Sequence, residues 1–195
     1  IVNDWFKQGD VVIAPWLVGD DHKRISKLSA KYVFGHFELP HFKMNAMVEM
    51  PDHGELQAEH FTGVEEVYSG HFHLRQKRQN INYIGNCFPH NFADAGDDKR
   101  GCAILEWGRP VEYHAWQDQP RYRVHKLSEL LDESNTLLGD NMHVRIQLDI
   151  DISYEEANFI KEKFAEQYGV RELQLIPVKD DEQEFEGGEI KFESV

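Results

Sequence analysis

The stretch Val67-Tyr68-Ser69-Gly70-His71-Phe72-His73 decides how the rest of the chain is read. Glu65 to Ser69 has the composition of a short buried strand, and it runs straight into Gly-His-x-His. In an extended chain residues i and i+2 point the same way. His71 and His73 are therefore expected together at one sheet edge, with Phe72 turned back into apolar packing. Gly70 omits a Cβ where the backbone must pass close to whatever the imidazoles hold. Neutral imidazole suits Mn, Fe, Zn and Ni alike, so the ligand type does not choose the metal. Upstream, Tyr32-Val33-Phe34 ending in Gly35-His36 repeats the device. Strand-end histidines from two strands converge on the crevice in which open α/β sheets place ligands. That makes His36, His71 and His73 three candidate ligands of one metal site.

Around this centre the first segment alternates strand-like and helix-like runs. Val11 to Leu17 reads as a buried strand and His22 to Ala30 as a helix, while Pro40 to Gly63 is a polar loop rich in Met and His with a short helix over Leu56 to His60. The length of that loop points to function or mobility. After Asn82-Tyr83-Ile84-Gly85 comes a turn-rich stretch to Arg100. Cys102 to Trp107 and Val111 to Trp116 then form an antiparallel hairpin about Gly108-Arg109-Pro110, which implies a sheet of mixed direction. A boundary falls near Gln117-Asp118-Gln119-Pro120. Beyond it, Met142 to Ile150 alternates as a strand, and Ser153-Tyr154-Glu155-Glu156 is a capping box that opens a helix. The helix puts Ala157, Ile160, Phe164 and Tyr168 on one face, stops at Gly169, and is followed by the strand Leu173 to Ile176. The expected organisation is an α/β domain with a mixed sheet over 1–117, a small β-α-β cap of α+β character over 118–179, and an acidic, solvated or disordered tail over 180–195 hinged at Gly187-Gly188.

At 195 residues the chain has room for one ordinary domain, or one domain and an appendage. Mean hydropathy is −0.60, and no run approaches the roughly 18 apolar residues of a membrane span, so no membrane partner is expected. Ile1-Val2-Asn3-Asp4-Trp5 has no initiator Met, basic n-region or apolar h-region; it is not a signal peptide and reads as a chain entered in its middle. Two cysteines without C-x-x-C spacing point to a reducing, cytoplasmic setting and to buried, inert thiols. The net charge of −14 is uneven. Residues 1–125 carry 14 Lys+Arg against 17 Asp+Glu, and residues 126–195 carry 7 against 18. The acidity thus weighs little against a phosphate-handling site in the first segment.

Gly35-His36-Phe37-Glu38-Leu39, then Glu65 to His73 with its Gly-His-x-His, then Asn82-Tyr83-Ile84-Gly85, in that order, resembles the second half of the SbcCD-type and phage recombination nucleases of the calcineurin-like metallophosphoesterase superfamily. Pro15-Trp16-Leu17 and the small cap also fit, so the resemblance covers most of the chain. It implies the C-terminal half of a metallophosphoesterase α/β sandwich, in which two divalent ions, Mn or Mg, about 3.5–4 Å apart, hold a phosphodiester and activate water. It implies that His36 and His71 bind one ion and His73 the other. It also implies ligands that are not in this sequence: an Asp-x-His, a Gly-Asp and a Gly-Asn-His, with the bridging carboxylate and the general-acid histidine among them. Gly9-Asp10 and Gly19-Asp20 read as turns instead. The expected activity is that of a DNA exonuclease or endonuclease of recombination and repair, carried by a longer parent, with this piece inert alone. Its partners would be DNA, an SMC-like ATPase subunit docking beyond Val195, and a second copy of the piece, because a cut sheet leaves an unpaired edge. The alternatives are a non-catalytic DNA-binding or assembly module, and a phosphatase or phosphodiesterase of the same superfamily.

Other residues carry weaker signals. Arg75, Lys77 and Arg78 either track a DNA backbone or belong to an ordinary exposed hairpin. Phe37, Phe42, Phe88 and Phe92 either stack on unpaired bases or pack internally, with packing the better-supported choice. His41, His53, His60, His90, His114, His125 and His143 lack the strand-Gly context and are read as structural.

Overall fold

Runs of β-branched and aromatic residues separated by Gly, Pro and Asn dictate short strands. In a computed structural model of the chain, which describes residues 3–44, 48–54 and 56–177, those strands form three sheets. The elements of the first part are β1 (Phe6–Gln8), β2 (Val11–Ile13), α1 (His22–Ile25), β3 (Ala30–His36), β4 (Val64–Gly70), β5 (Gln76–Arg78), β6 (Ile81–Tyr83), β7 (Gly101–Ile104) and β8 (Glu112–Ala115). After them come β9 (Arg121–Lys126), α2 (Leu127–Leu137), β10 (Met142–Leu148), α3 (Tyr154–Tyr168) and β11 (Glu172–Pro177). The chain divides into two compact units, 1–123 and 124–195, with the boundary inside β9.

The main sheet of the first unit has the order β1-β2-β3-β4-β6-β5. Two-residue turns, Gly9-Asp10 and Gln79-Asn80, make the edge pairs β1–β2 and β5–β6 antiparallel. The longer connections make β2, β3, β4 and β6 parallel. The fold is α/β with a mixed sheet, and the hairpin β7–β8 stands as a two-stranded sheet of its own. The core of this unit is built on Val12, Val33, Val67 and Ile81 from the four parallel strands, with Ile25, Leu39 and Phe61 from the connections. Some elements are shorter than expected. The strand at Val11 stops at Ile13, because Pro15 lacks the N–H a continuing strand needs. Only one helical turn, His22–Ile25, forms in the stretch expected to run to Ala30, since Ala30 already pairs with Val64 in the sheet.

The second unit has a three-stranded sheet in the order β11-β10-β9 and a core of Leu127, Leu130, Val144, Ile146, Phe164 and Leu173. β10 and β11 are parallel and joined by α3, so the expected β-α-β unit is present. The strand β9 and the helix α2 were not anticipated from the sequence. The expected acidic tail lies outside the described residues. α3 begins at Ser153, whose Oγ accepts from Glu156 N at 3.3 Å while the Glu156 carboxylate accepts from Ser153 N at 3.1 Å. Ser153→Ala should lower stability by about 1 kcal/mol, read as a shift of the 222 nm thermal transition. The Ser153 side-chain and backbone hydrogen bonds hold the Glu156 pKa below its ordinary value. A carboxylate whose folded pKa is depressed stabilises above its unfolded pKa and loses that contribution as pH falls through the folded value. The effect of Ser153→Ala should therefore shrink in acid.

Cys87 and Cys102 are free and exposed, which corrects the expectation of buried thiols. Cys102 lies with Ile104 on the outward face of the β7–β8 hairpin, and Cys87 on the loop that follows Gly85. Among the described residues no helix is long and apolar enough to cross a membrane.

Candidate metal centre

β3 and β4 are neighbouring parallel strands, and their register sets His36 directly beside Gly70. The glycine leaves room for the His36 ring. A Cβ on Gly70 would lie 2.8 Å from His36 Nδ1, so the imidazole packs over the space a side chain would fill. The His36 and His71 rings then meet edge to face, with centroids 5.3 Å apart and planes at 87°. Both strand ends are C-terminal ends of parallel strands, where α/β sheets open toward ligands.

The sequence expectation differs from the structure just past Gly70. The strand ends there, and His71 takes φ +93°, outside the extended region and rare for a residue with a Cβ. Alternation is lost, so His71 and His73 do not sit as i and i+2 of one strand. His71 turns to His36 and Glu38, and its Nε2 is 3.6 Å from a Glu38 carboxylate oxygen. His73 turns to His90, with ring centroids 5.2 Å apart. Burial pushes the His71 pKa down; Glu38 opposes this, and the neighbouring His36 and His73 add to it. The net result favours the neutral imidazole, the form that ligates a cation.

Backbone around these side chains is held on both sides. Past the end of β3, Phe37 N–H donates to Ser69 Oγ at 2.9 Å, and Tyr83 Oη donates to Phe37 O at 2.9 Å while accepting from Leu39 N–H at 3.2 Å. Burial pushes the Tyr83 pKa upward, so the hydroxyl keeps the proton it donates. Phe37 and Leu39 point into the core, and alternation leaves Glu38 facing out beside His71. On the other side, Arg100 is buried, pairs with Asp94 at 2.9 Å and Asp97 at 3.1 Å, and donates to His73 O at 3.0 Å. Asp94 also accepts from His90 N–H at 2.9 Å, and Tyr122 Oη donates to His90 O. Gly85, at φ +74°, lets its loop pass beneath His73, since a Cβ would lie 2.8 Å from His73 O.

Two donor pairs result: His36 with His71, edged by Glu38, and His73 with His90. Among the described residues no three His, Cys, Asp or Glu side chains are grouped closely enough to hold a cation by themselves. In donor chemistry the pairs fit borderline divalent ions, which accept imidazole and carboxylate together. In number they do not complete a shell, because even a tetrahedral site takes four donors.

The basic candidates lie at the sheet edge. On β5, Lys77 faces away from Gln76 and Arg78 and pairs with Glu66 at 3.1 Å, while Arg78 donates to His41 O at 3.2 Å. Arg75 stacks over Tyr113 at 4.2 Å. The three therefore do not form one row on one face. Phe37 and Phe42 are buried, which removes them as base-stacking platforms; Phe88 packs on Trp116 and Phe92 on Tyr122. Glu38 stands in the quoted Gly-His stretch with no role assigned, His90 is read from the sequence as structural, and Arg100 and Asp94 carry no reading there. Glu38 was legible by alternation from His36, whereas His90 and Arg100 reach the site through the turn-rich loop and carry no spacing signal. No family model matches the chain, and a comparison with curated proteins finds no match.

Proposed function

We propose that this chain is the C-terminal part of a divalent-metal-dependent DNA nuclease of the calcineurin-like metallophosphoesterase type, with His36, His71 and His73 among its metal ligands. The observation that carries the proposal is His71, held in a strained backbone conformation at the end of β4 against both His36 and Glu38. Strain of this kind persists where the surroundings over-determine it, and it clusters at functional sites. The ordered Gly-His and Gly-His-x-His motifs supply the reaction class.

In this proposal His36 and His71 would hold one ion, with the Glu38 carboxylate 3.6 Å from the His71 ring, and His73 with His90 would face the second. Ions bound there would supply positive charge to the phosphodiester and activate water for attack on phosphorus. The chain's own part is placement. Ser69 and Tyr83 fix the Phe37–Leu39 backbone that presents Glu38, and Arg100 fixes the carbonyl of His73. The remaining ligands, a bridging carboxylate above all, would come from a further segment of a longer polypeptide.

A non-catalytic DNA-binding or assembly module is the second reading, favoured by donor pairs where a complete site needs more. Linear DNA incubated with Mn separates the two. The longer parent should degrade it and the 195-residue chain should not. Cleavage by the chain alone would show a complete ligand set, and no cleavage by either would remove the nuclease.

A further inference from the structure

Beside His36 lies a cavity of about 270 Å³ whose walls include Trp16, Leu17, His36, Glu38, Met50 and His53. Trp16 stands in the irregular segment after β2, and 54% of its surface is exposed. Its neighbours are the site itself: the ring centroid is 5.6 Å from that of His36 and 5.9 Å from that of His71. The other exposed tryptophans differ. Trp107 packs on Tyr32 at 5.0 Å, and Trp116 on Phe88 at 5.7 Å. A half-exposed indole on a cavity lined by Leu17 and Met50 together with Glu38, His36 and His53 matches one kind of guest. That guest is a flat apolar ring with hydrogen-bonding edges and a charged group attached within reach of the histidines.

We infer that Trp16 is a stacking platform for an unpaired nucleobase, seated in this cavity while its phosphate faces His36 and His71. The inference rests on the nuclease reading and names its substrate as single-stranded or frayed DNA ends. A base inside a duplex presents no free face to an indole. Stacking tolerates any base, since every base has a π-face, so the seat selects for strandedness and not for sequence.

The test is metal-free, at low salt, and reads fluorescence anisotropy of an end-labelled thymidine oligonucleotide, with a blunt, tightly closed DNA hairpin as comparison. The 195-residue chain should prefer the single strand. Trp16→Ala should bind the oligonucleotide roughly 5- to 150-fold more weakly, the range for loss of one stacked base. Trp16→Phe should recover part of that loss. Unchanged affinity in Trp16→Ala, equal binding of hairpin and single strand, or no binding of either would overturn the inference. Mn binding, read separately by broadening of the His36 and His71 ring signals, distinguishes the two failures. Broadening without a Trp16 effect removes the base seat and leaves the metal site. A Trp16 effect without broadening leaves the base seat and removes the metal.

Discussion

Arg100→Ala should destabilise the first unit by about 3–5 kcal/mol, the usual consequence of removing one partner from a buried ion pair. Arg100 and Asp94 have side-chain exposures of 4% and 5%, so loss of the guanidinium leaves a carboxylate in a dry site without its counter-charge. The same guanidinium supports His73 O, and Asp94 supports His90 N–H, so both the second donor pair and the loop that carries it should loosen. The measurement is direct because Trp5, Trp16, Trp107 and Trp116 all lie in the first unit. Urea unfolding followed by tryptophan fluorescence therefore reports that unit without contribution from the second. The double variant Arg100→Met with Asp94→Leu should recover part of the loss, since it removes the orphaned Asp94 charge but leaves His90 N–H without its acceptor. A change in Arg100→Ala below about 1 kcal/mol would show that the pair is solvated and does not position His73.

If the proposed nuclease assignment holds, His71→Ala in the longer polypeptide it implies should abolish Mn-dependent DNA cleavage, a fall of about a thousandfold or more, while DNA binding is largely kept. An ion at such a centre supplies several kcal/mol of transition-state stabilisation, and tenfold in rate corresponds to ~1.4 kcal/mol. His71 contributes one imidazole to the site and little to the core, as a half-buried residue beyond the end of β4. Removing it also relieves a strained φ only in part, since alanine disfavours that region too. The variant should therefore fold and fail at chemistry. Full residual activity would sink the assignment of His71 as a ligand. Glu38→Gln should give a smaller loss, about 10- to 100-fold, as expected of a group that orients a ligand.

What the sequence could show was set by range. β3, β4 and α3 carry their own signals within a dozen residues: β-branched runs into Gly-His for the strands, and Ser153 with Glu156 for the helix. Those local rules also placed His36 next to the strand that delivers His71. They failed where the chain leaves a regular element. Alternation was carried one step too far, to His73, because nothing in the local sequence announces the φ of +93° at His71. His90 and Arg100 belong to a loop whose route depends on Asp94 being buried, a long-range fact. The basic residues after His73 looked like a track in one dimension. In three dimensions the pleat of β5 divides Lys77 from Arg78, and Glu66 neutralises the former. The exposed thiols have a similar origin, since a hairpin reads the same whether or not another layer covers it.

The most direct test of the proposed metal centre is a Mn titration of the chain followed through the ring resonances of its histidines. The two strand-end positions are brought together with Glu38, so His36 and His71 should broaden first at low Mn, with His73 and His90 next. His114 and His125 should keep sharp signals at the same concentration. The shell is incomplete, so the affinity should be weak, and Glu38→Gln should weaken it further. Broadening spread evenly over all histidines, or confined to His114 and His125 while His36 and His71 stay sharp, would contradict a divalent-metal edge at the ends of β3 and β4.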